Sequence, residues 1–304
     1  MPDSLADVIR SFSITECEFF QNLPLAGVTS FRIGGPALAV AVPKTEAALV
    51  RLLTLLHAAG IPRTVIGNGS NLLAPDSGYR GVVIRTVALQ DIRWGEEGIC
   101  ALCGASLAKI AKEAISRGIG GFSALAGIPA TLGGAVFMNA GAGADSIGER
   151  VVSVRAVPAE GGKPFSLSHG ECLFSYRKSV FFGRGLVILS ATLSGPPDSC
   201  ERLRGQMAEA LLHRRQSQPL EYPSAGSVFR RPPGDYAGRL IEAAGLKGLR
   251  IGNARVSEKH AGFIVNLGGA TAADVRALVE LVRATVLERF GVSLVREIEY
   301  LGEE

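Results

Sequence analysis

The sequence predicts an α+β chain built from two or three compact units, and three observations carry that prediction. Helix-period apolar stripes, such as Leu49, Leu52, Leu53 and Leu56, recur between strand-sized apolar runs such as Leu186-Val-Ile-Leu189. Glycine and proline punctuate the segments throughout, and Gly195-Pro-Pro-Asp198 is the clearest linker. A chain of 304 residues, 47% apolar and 20% charged, is globular in composition and longer than one core usually organises.

Taken in order, residues 45–59 read as a helix capped by Thr45 and ended by Gly60. A strand over Arg63–Ile66 runs straight into Gly67-Asn-Gly-Ser-Asn71, and another follows over 81–85. A second piece opens with a strand near Ile99 and a helix over 106–117 ended by Gly118, then crosses a glycine-rich stretch to Gly143. Strands at 151–157 and Leu186–Leu193 close it. A helix over 199–216, with Leu203, Met207, Leu211 and Leu212 inward, opens the third piece. The last long helix starts at a capping-box-like Thr271-Ala-Ala-Asp274 and turns Val275, Leu278, Val279 and Val282 to one stripe. Gly291 ends it, and residues 293–301 form a terminal strand.

Composition narrows the function. The net charge is +4 with no lysine-arginine block, which favours small anions over a nucleic-acid track. Met1-Pro-Asp-Ser-Leu-Ala-Asp lacks the basic and apolar segments of a signal peptide, and no apolar run is long enough for a bilayer. The expectation is a soluble, cytoplasmic protein with no membrane, nucleic-acid or obligate protein partner. Five scattered cysteines, Cys17, Cys100, Cys103, Cys172 and Cys200, argue against a disulfide framework. Cys100-Ala-Leu-Cys103 has the spacing of a redox or zinc half-site, but its alternation reads as a strand. With four histidines and no His-Glu-x-x-His, no metal site is expected.

Several segments concentrate chemistry. In Tyr222-Pro-Ser-Ala-Gly-Ser-Val-Phe-Arg-Arg-Pro232, two prolines stiffen a run of small residues around Ser227, followed by Arg230 and Arg231. A rigid hydroxyl beside paired guanidiniums suits a proton donor next to an anionic substrate, although such a run also suits a tight turn before a strand. Gly67, Asn68, Gly69, Ser70 and Asn71, leading into Leu72, expose amides directly after a strand, as a pyrophosphate-wrapping loop or an ordinary turn would. Neither Gly-x-Gly-x-x-Gly nor a P-loop is present. Gly127, Ile128, Pro129, Thr131, Gly133, Gly134 and, further on, Asn139 form a small-residue surface that suits a flat ring or close helix-sheet packing. Tyr176-Arg-Lys-Ser179 offers Arg177, by itself most simply a surface guanidinium. On an alternating terminal strand, Glu297 and Glu299 share one face and Arg296 the other.

In this order, together with Gly234–Gly248 and Arg255–Asn266, these segments resemble the UDP-N-acetylenolpyruvoylglucosamine reductase family, flavoenzymes that complete UDP-N-acetylmuramate in bacterial wall synthesis. The resemblance runs from about Phe31 to Tyr300 and points to the shorter form, without an extra substrate-capping insertion. It implies a two-subdomain FAD-binding fold of the vanillyl-alcohol-oxidase/PCMH type, over 1–87 and 88–198. A C-terminal α+β substrate-binding domain over 199–304 would carry the terminal catalytic strand. It further implies non-covalent FAD held by the Gly67–Leu72 and Gly127–Asn139 segments, NADPH as hydride donor, and UDP-N-acetylglucosamine enolpyruvate as substrate. By the same resemblance Arg177, Ser227 and Glu297 are catalytic, with Glu299 the rival of Glu297, because Val295 stands where the family commonly has another glutamate. Tyr176, Arg230, Arg231 and Arg239 are expected at the substrate. The run Ala140-Gly-Ala-Gly-Ala144 departs from the family, which commonly places an aromatic after Ala-Gly-Ala.

Two other readings compete. A small-molecule oxidase on the same flavin fold would explain the glycine loops but not Ser227, Arg177 and Glu297 in this order, and His57 is poorly placed to tether a flavin. A catalytically silent nucleotide-binding protein predicts loss of the polar residues that are here retained.

Overall fold

A computed structural model of the chain describes residues 4–302 apart from Glu97 and Ala144. Met1 to Asp3 of the leader reading, and Ala144 at the end of the departing run, therefore lie outside the described residues. The helices are α1 (Leu5–Arg10), α2 (Glu46–Ala58), α3 (Leu107–Ser116), α4 (Leu132–Met138), α5 (Cys200–Ser217), α6 (Ala237–Ala243) and α7 (Ala272–Phe290). The chain divides into two compact units. One comprises Met1–Gln21, Ala39–Asn68 and Gly81–Leu212; the other comprises Asn22–Leu38, Gly69–Arg80 and His213–Glu304.

The first unit holds two sheets on one core. Strands Cys17–Gln21, Ala37–Pro43, Tyr79–Arg85 and Arg63–Ile66 lie side by side in that order, the last two parallel. Strands Phe165–Ser168, Val151–Pro158, Leu186–Leu193, Gly98–Leu102 and Ile92–Gly95 form an antiparallel sheet. Thr45 caps α2 by accepting from Ala48 N–H, and the predicted stripe of Leu49, Leu52, Leu53 and Leu56 is fully buried. Ser106 caps α3 in the same way, sending Leu107, Ile110, Ala111 and Ala114 inward. Val82 and Ile84 from one sheet meet Ile99, Val154 and Leu189 from the other in that core. One sheet is drawn from within residues 1–87 and the other from within 88–198, but Asn22–Leu38 and Gly69–Arg80 of the first expected piece fall in the second unit, and 199–212 of the third piece fall in the first.

The second unit is built on α7. Thr271 and Asp274 form the predicted capping box, Gly291 ends the helix at a φ of 67°, and Val275, Leu278, Val279 and Val282 are buried. They pack with Phe31, Leu73, Val228, Leu240 and Val256. The three-stranded sheet of this unit, Arg250–Ile251, Ala254–Val256 and Ile264–Asn266, is antiparallel.

Two element expectations need correction. Of the terminal strand expected over 293–301, only Glu299–Tyr300 is regular, paired in parallel with Leu72–Leu73. Arg296 forms an isolated bridge to Phe229 and the backbone bends at Ile298, so Glu297 and Glu299 lie on either side of a bend instead of along one flat face. In α5, only Leu203 is fully buried; Leu212 is 54% exposed. The helix carries charges around most of its circumference, so Leu203 is its one fully buried residue, while Met207 packs half-buried against the core and Leu211 is half-buried.

Candidate functional site

Within the first unit, two sequence-distant segments meet. Asn68 Nδ2 donates to Pro129 O at 3.2 Å, and a side chain at Gly67 would collide with Thr131 Oγ1. Thr131 is buried and caps α4, accepting from Gly134 N–H. The other early N–H groups of α4 are also spent on protein: Leu132 donates to Ala105 O, Gly133 to Cys103 O at 2.7 Å and Ala135 to Thr131 O. A Cβ at Gly133 would press on Cys103, so this glycine serves close packing of α4. Gly127 and Ile128 close the short turn that leads to Pro129.

The turn bearing Arg177 stands against the far end of α4. Ser175 and Lys178 exchange backbone hydrogen bonds at 3.1 and 3.0 Å, leaving Tyr176 and Arg177 at the tip. Asn139, with φ at 44°, receives Gly148 N–H at 2.9 Å and donates to Ser175 O at 2.8 Å. Ser179 Oγ donates to Phe137 O at 2.6 Å, and Arg177 Nη2 donates to Gly141 O at 3.2 Å. Arg177 also lies 5.2 Å from the ring of the exposed Tyr176. Asn139, expected at a cofactor, commits both ends of its amide to protein.

Within the second unit, the serine segment is held along its length. Ser30 Oγ donates to Ser224 O at 2.7 Å, Asn266 N–H to Pro223 O at 2.9 Å, and Val228 N–H to Gly262 O at 2.8 Å. Ser227 bridges Phe263 on one side, while Glu297 N–H donates to Val228 O at 2.7 Å on the other. Asn71 Nδ2 donates to Glu297 O at 3.1 Å, and Asn71 O accepts from Glu299 N–H at 2.9 Å. Asn71 and Leu72 therefore anchor the terminal segment. Glu297 is bonded to the serine segment, whereas Glu299 pairs with Leu72.

The expected substrate cations differ in their commitments. Arg239 forms a two-pronged pair with Asp235, its Nε donating at 2.6 Å, which holds the Asp235 carboxyl down at about 2. Arg231 stacks 4.4 Å from the Tyr236 ring. Arg230 Nε is buried with no acceptor among the described residues. Ser30 and Asn266 escaped sequence reasoning as site residues. A polar Asn266 closing an apolar strand was the available signal, since a buried amide needs partners, and its side chain bonds Phe31 O, Gly268 N and Ala270 N.

Residues 37–164 match the family described as FAD binding domain, and residues 218–301 match the UDP-N-acetylenolpyruvoylglucosamine reductase C-terminal domain. A UDP-N-acetylenolpyruvoylglucosamine reductase of Caldanaerobacter subterraneus subsp. tengcongensis is 43% identical over 304 residues, covering 100% of both chains. The chain belongs to the UDP-N-acetylenolpyruvoylglucosamine reductase family. A reductase of this name from Moorella thermoacetica is 46% identical over 283 residues, 93% of each chain. The crystal structure of the Thermus caldophilus reductase superposes with a TM-score of 0.79 at 35% identity, covering 93% of this chain and 98% of that one. An FAD-binding domain followed by the reductase C-terminal domain is the α+β arrangement predicted from the sequence, and it sets aside the oxidase reading.

The residues fit FAD. Among the described residues none accepts from the backbone N–H groups of Asn68, Gly69 or Ser70, although Gly69 is buried and its φ of 63° suits glycine. Such amides are complementary to a diphosphate. The start of α4, whose amides are satisfied internally, is not. No group of histidine, cysteine or acidic side chains among the described residues could hold a metal ion.

Proposed function

We propose that this chain reduces UDP-N-acetylglucosamine enolpyruvate to UDP-N-acetylmuramate, a peptidoglycan precursor, with NADPH as hydride donor. The observation that carries the residue assignment is the bond from Glu297 N–H to Val228 O, which joins the glutamate's segment to that of Ser227. The full-length match to curated reductases supports the substrate. Bound FAD supplies a two-electron carrier between NADPH and C3 of the enolpyruvyl group. Asn68, Gly69 and Ser70 would hold its diphosphate through their amides, and Gly67, Pro129, Thr131 and Gly134 are assigned to the cofactor as well.

Ser227 Oγ gives its proton to C2 as negative charge accumulates there. A serine hydroxyl is a weak acid, so the transfer depends on the basicity of that carbon. Arg177 binds the substrate carboxylate and steadies the enolate, a role suited to a guanidinium presented on a rigid turn. Glu297 assists at the same charge, and its bond to the serine segment favours it over Glu299. Tyr176, Arg230, Arg231 and Arg239 are assigned to the substrate's anionic portion, and Arg230, with a buried nitrogen lacking an acceptor among the described residues, is the strongest of these. The reaction is assigned to the cytoplasm because its substrates are water-soluble; no helix among the described residues is long and apolar enough to cross a membrane.

The test separates the two halves of the reaction. Anaerobic Ser227→Ala protein should be reduced by NADPH, yet be reoxidised by the enolpyruvyl substrate about 10²- to 10⁴-fold more slowly than the parent. Reoxidation at the parent rate would remove Ser227 as the acid. Parent protein that is reduced but never reoxidised by this substrate would overturn the activity itself.

A further inference from the structure

We propose that Asn139 and Ser179 form a clamp that positions Arg177, an inference that rests on the role given to Arg177 above. Five non-glycine residues have positive φ among the described residues, and three of them, Asn139, Leu173 and Arg177, lie in this corner of the first unit. An arginine in the left-handed region persists only where its surroundings dictate the conformation. The two side chains supply that constraint from opposite flanks of the tip. Asn139 Nδ2 donates to Ser175 O, the carbonyl before Tyr176-Arg177, and Ser179 Oγ donates back to Phe137 O from beyond Lys178.

The clamp is anchored as well as closed. Asn139 and Ser179 are both buried, and Asn139 Oδ1 is fixed by Gly148 N–H, so the amide cannot turn over without losing two bonds. Two residues beyond Asn139, Gly141 O receives the Arg177 guanidinium. One corner at the end of α4 therefore sets both the backbone of the turn and a resting point for its side chain. An aspartate at position 139 would face the Ser175 carbonyl with an acceptor in place of the donor. A glycine would keep the left-handed backbone and remove the amide alone.

The experiment uses the FAD-loaded full chain under anaerobic conditions, with flavin reduction by NADPH and reoxidation by UDP-N-acetylglucosamine enolpyruvate timed separately. Asn139→Gly and Ser179→Ala should each slow reoxidation about 10- to 100-fold more than they slow reduction. Hydrogen exchange should rise in residues 173–180 of both variants. In an Arg177→Ala background, adding either substitution should change reoxidation by no more than about twofold, because the clamp acts through the missing guanidinium. Equal losses in both backgrounds, or equal slowing of both half-reactions, would overturn the clamp. Reoxidation at the parent rate in Arg177→Ala alone would instead overturn the role of Arg177. Ser179→Ala, which removes one hydroxyl, decides the matter if Asn139→Gly fails to retain FAD.

Discussion

Glu297 and Glu299 both bond Asn71, but Glu297 N–H also donates to Val228 O beside the candidate acid, whereas Glu299 pairs with Leu72. Removing the charge should therefore have unequal effects. Glu297→Gln should lower kcat by about 10²- to 10³-fold, whereas Glu299→Gln should stay within about tenfold. Steady-state kinetics check this, and the reverse ranking would exchange the two roles. The cysteines also divide by environment. Cys103 and Cys17 are buried, and loss of solvation pushes both thiols up to about 12; Cys172 is raised to about 11 for the same reason. Cys100, at the outer end of the Cys-x-x-Cys spacing, is exposed. Iodoacetamide on the native protein near neutral pH should label Cys100 well before Cys17, Cys103 or Cys172, as read by peptide mass. Early labelling of Cys103 would contradict its place in the core.

At the scale of elements, α7 shows how one helix end supports a whole unit. Three side chains satisfy four N–H groups at its start: Thr271 Oγ1 accepts from Asp274 N–H, Asp274 accepts from Thr271 N–H at 3.0 Å, and Asp76 accepts from the N–H groups of Ala272 and Ala273. The Thr271 N–H foremost holds the Asp274 carboxyl below the usual carboxylate range. Its folded pKa being depressed, Asp274 contributes stability above the unfolded value of about 3.9, and that contribution is lost as pH falls through the lower folded value. Asp274→Ala should cost about 1 kcal/mol near pH 7, a fall of about 2 °C in Tm. The difference between parent and variant should shrink as pH drops below about 4. A gap independent of pH would show that the carboxylate's charge contributes nothing.

For the molecule as a whole, two apolar cores and one cofactor govern stability. Leu278 is fully buried among Val275, Val282 and Phe31 of the second core, so Leu278→Ala should cost about 2–5 kcal/mol by denaturant titration. FAD binds the folded chain and has no comparable site on the unfolded one. At a free concentration about 100 times its Kd it should add about 2.7 kcal/mol, seen as a higher Tm than that of flavin-stripped protein. An unchanged Tm on reconstitution would mean that FAD is not held by the folded structure.

The features that sequence alone determined are those with short-range causes. Thr45, Ser106 and Thr271 each cap a helix within three residues of their own position, and the stripes on α2 and α7 follow from a local period. The order of the glycine loop, the Arg177 turn and the Ser227 segment identified the family because each motif is contiguous in the chain. The terminal strand illustrates where that reasoning stops. Alternation in residues 295–300 predicts an unbroken strand, but Arg296 pairs with Phe229, Glu299 pairs with Leu72, and the backbone bends at Ile298 between the two pairings. Partnerships of this kind belong to tertiary structure. The bond from Asn139 to Ser175 spans 36 positions and that from Asn266 to Phe31 spans 235. A buried amide advertises that it needs a hydrogen-bond partner, and only the folded chain brings one within 3 Å of it.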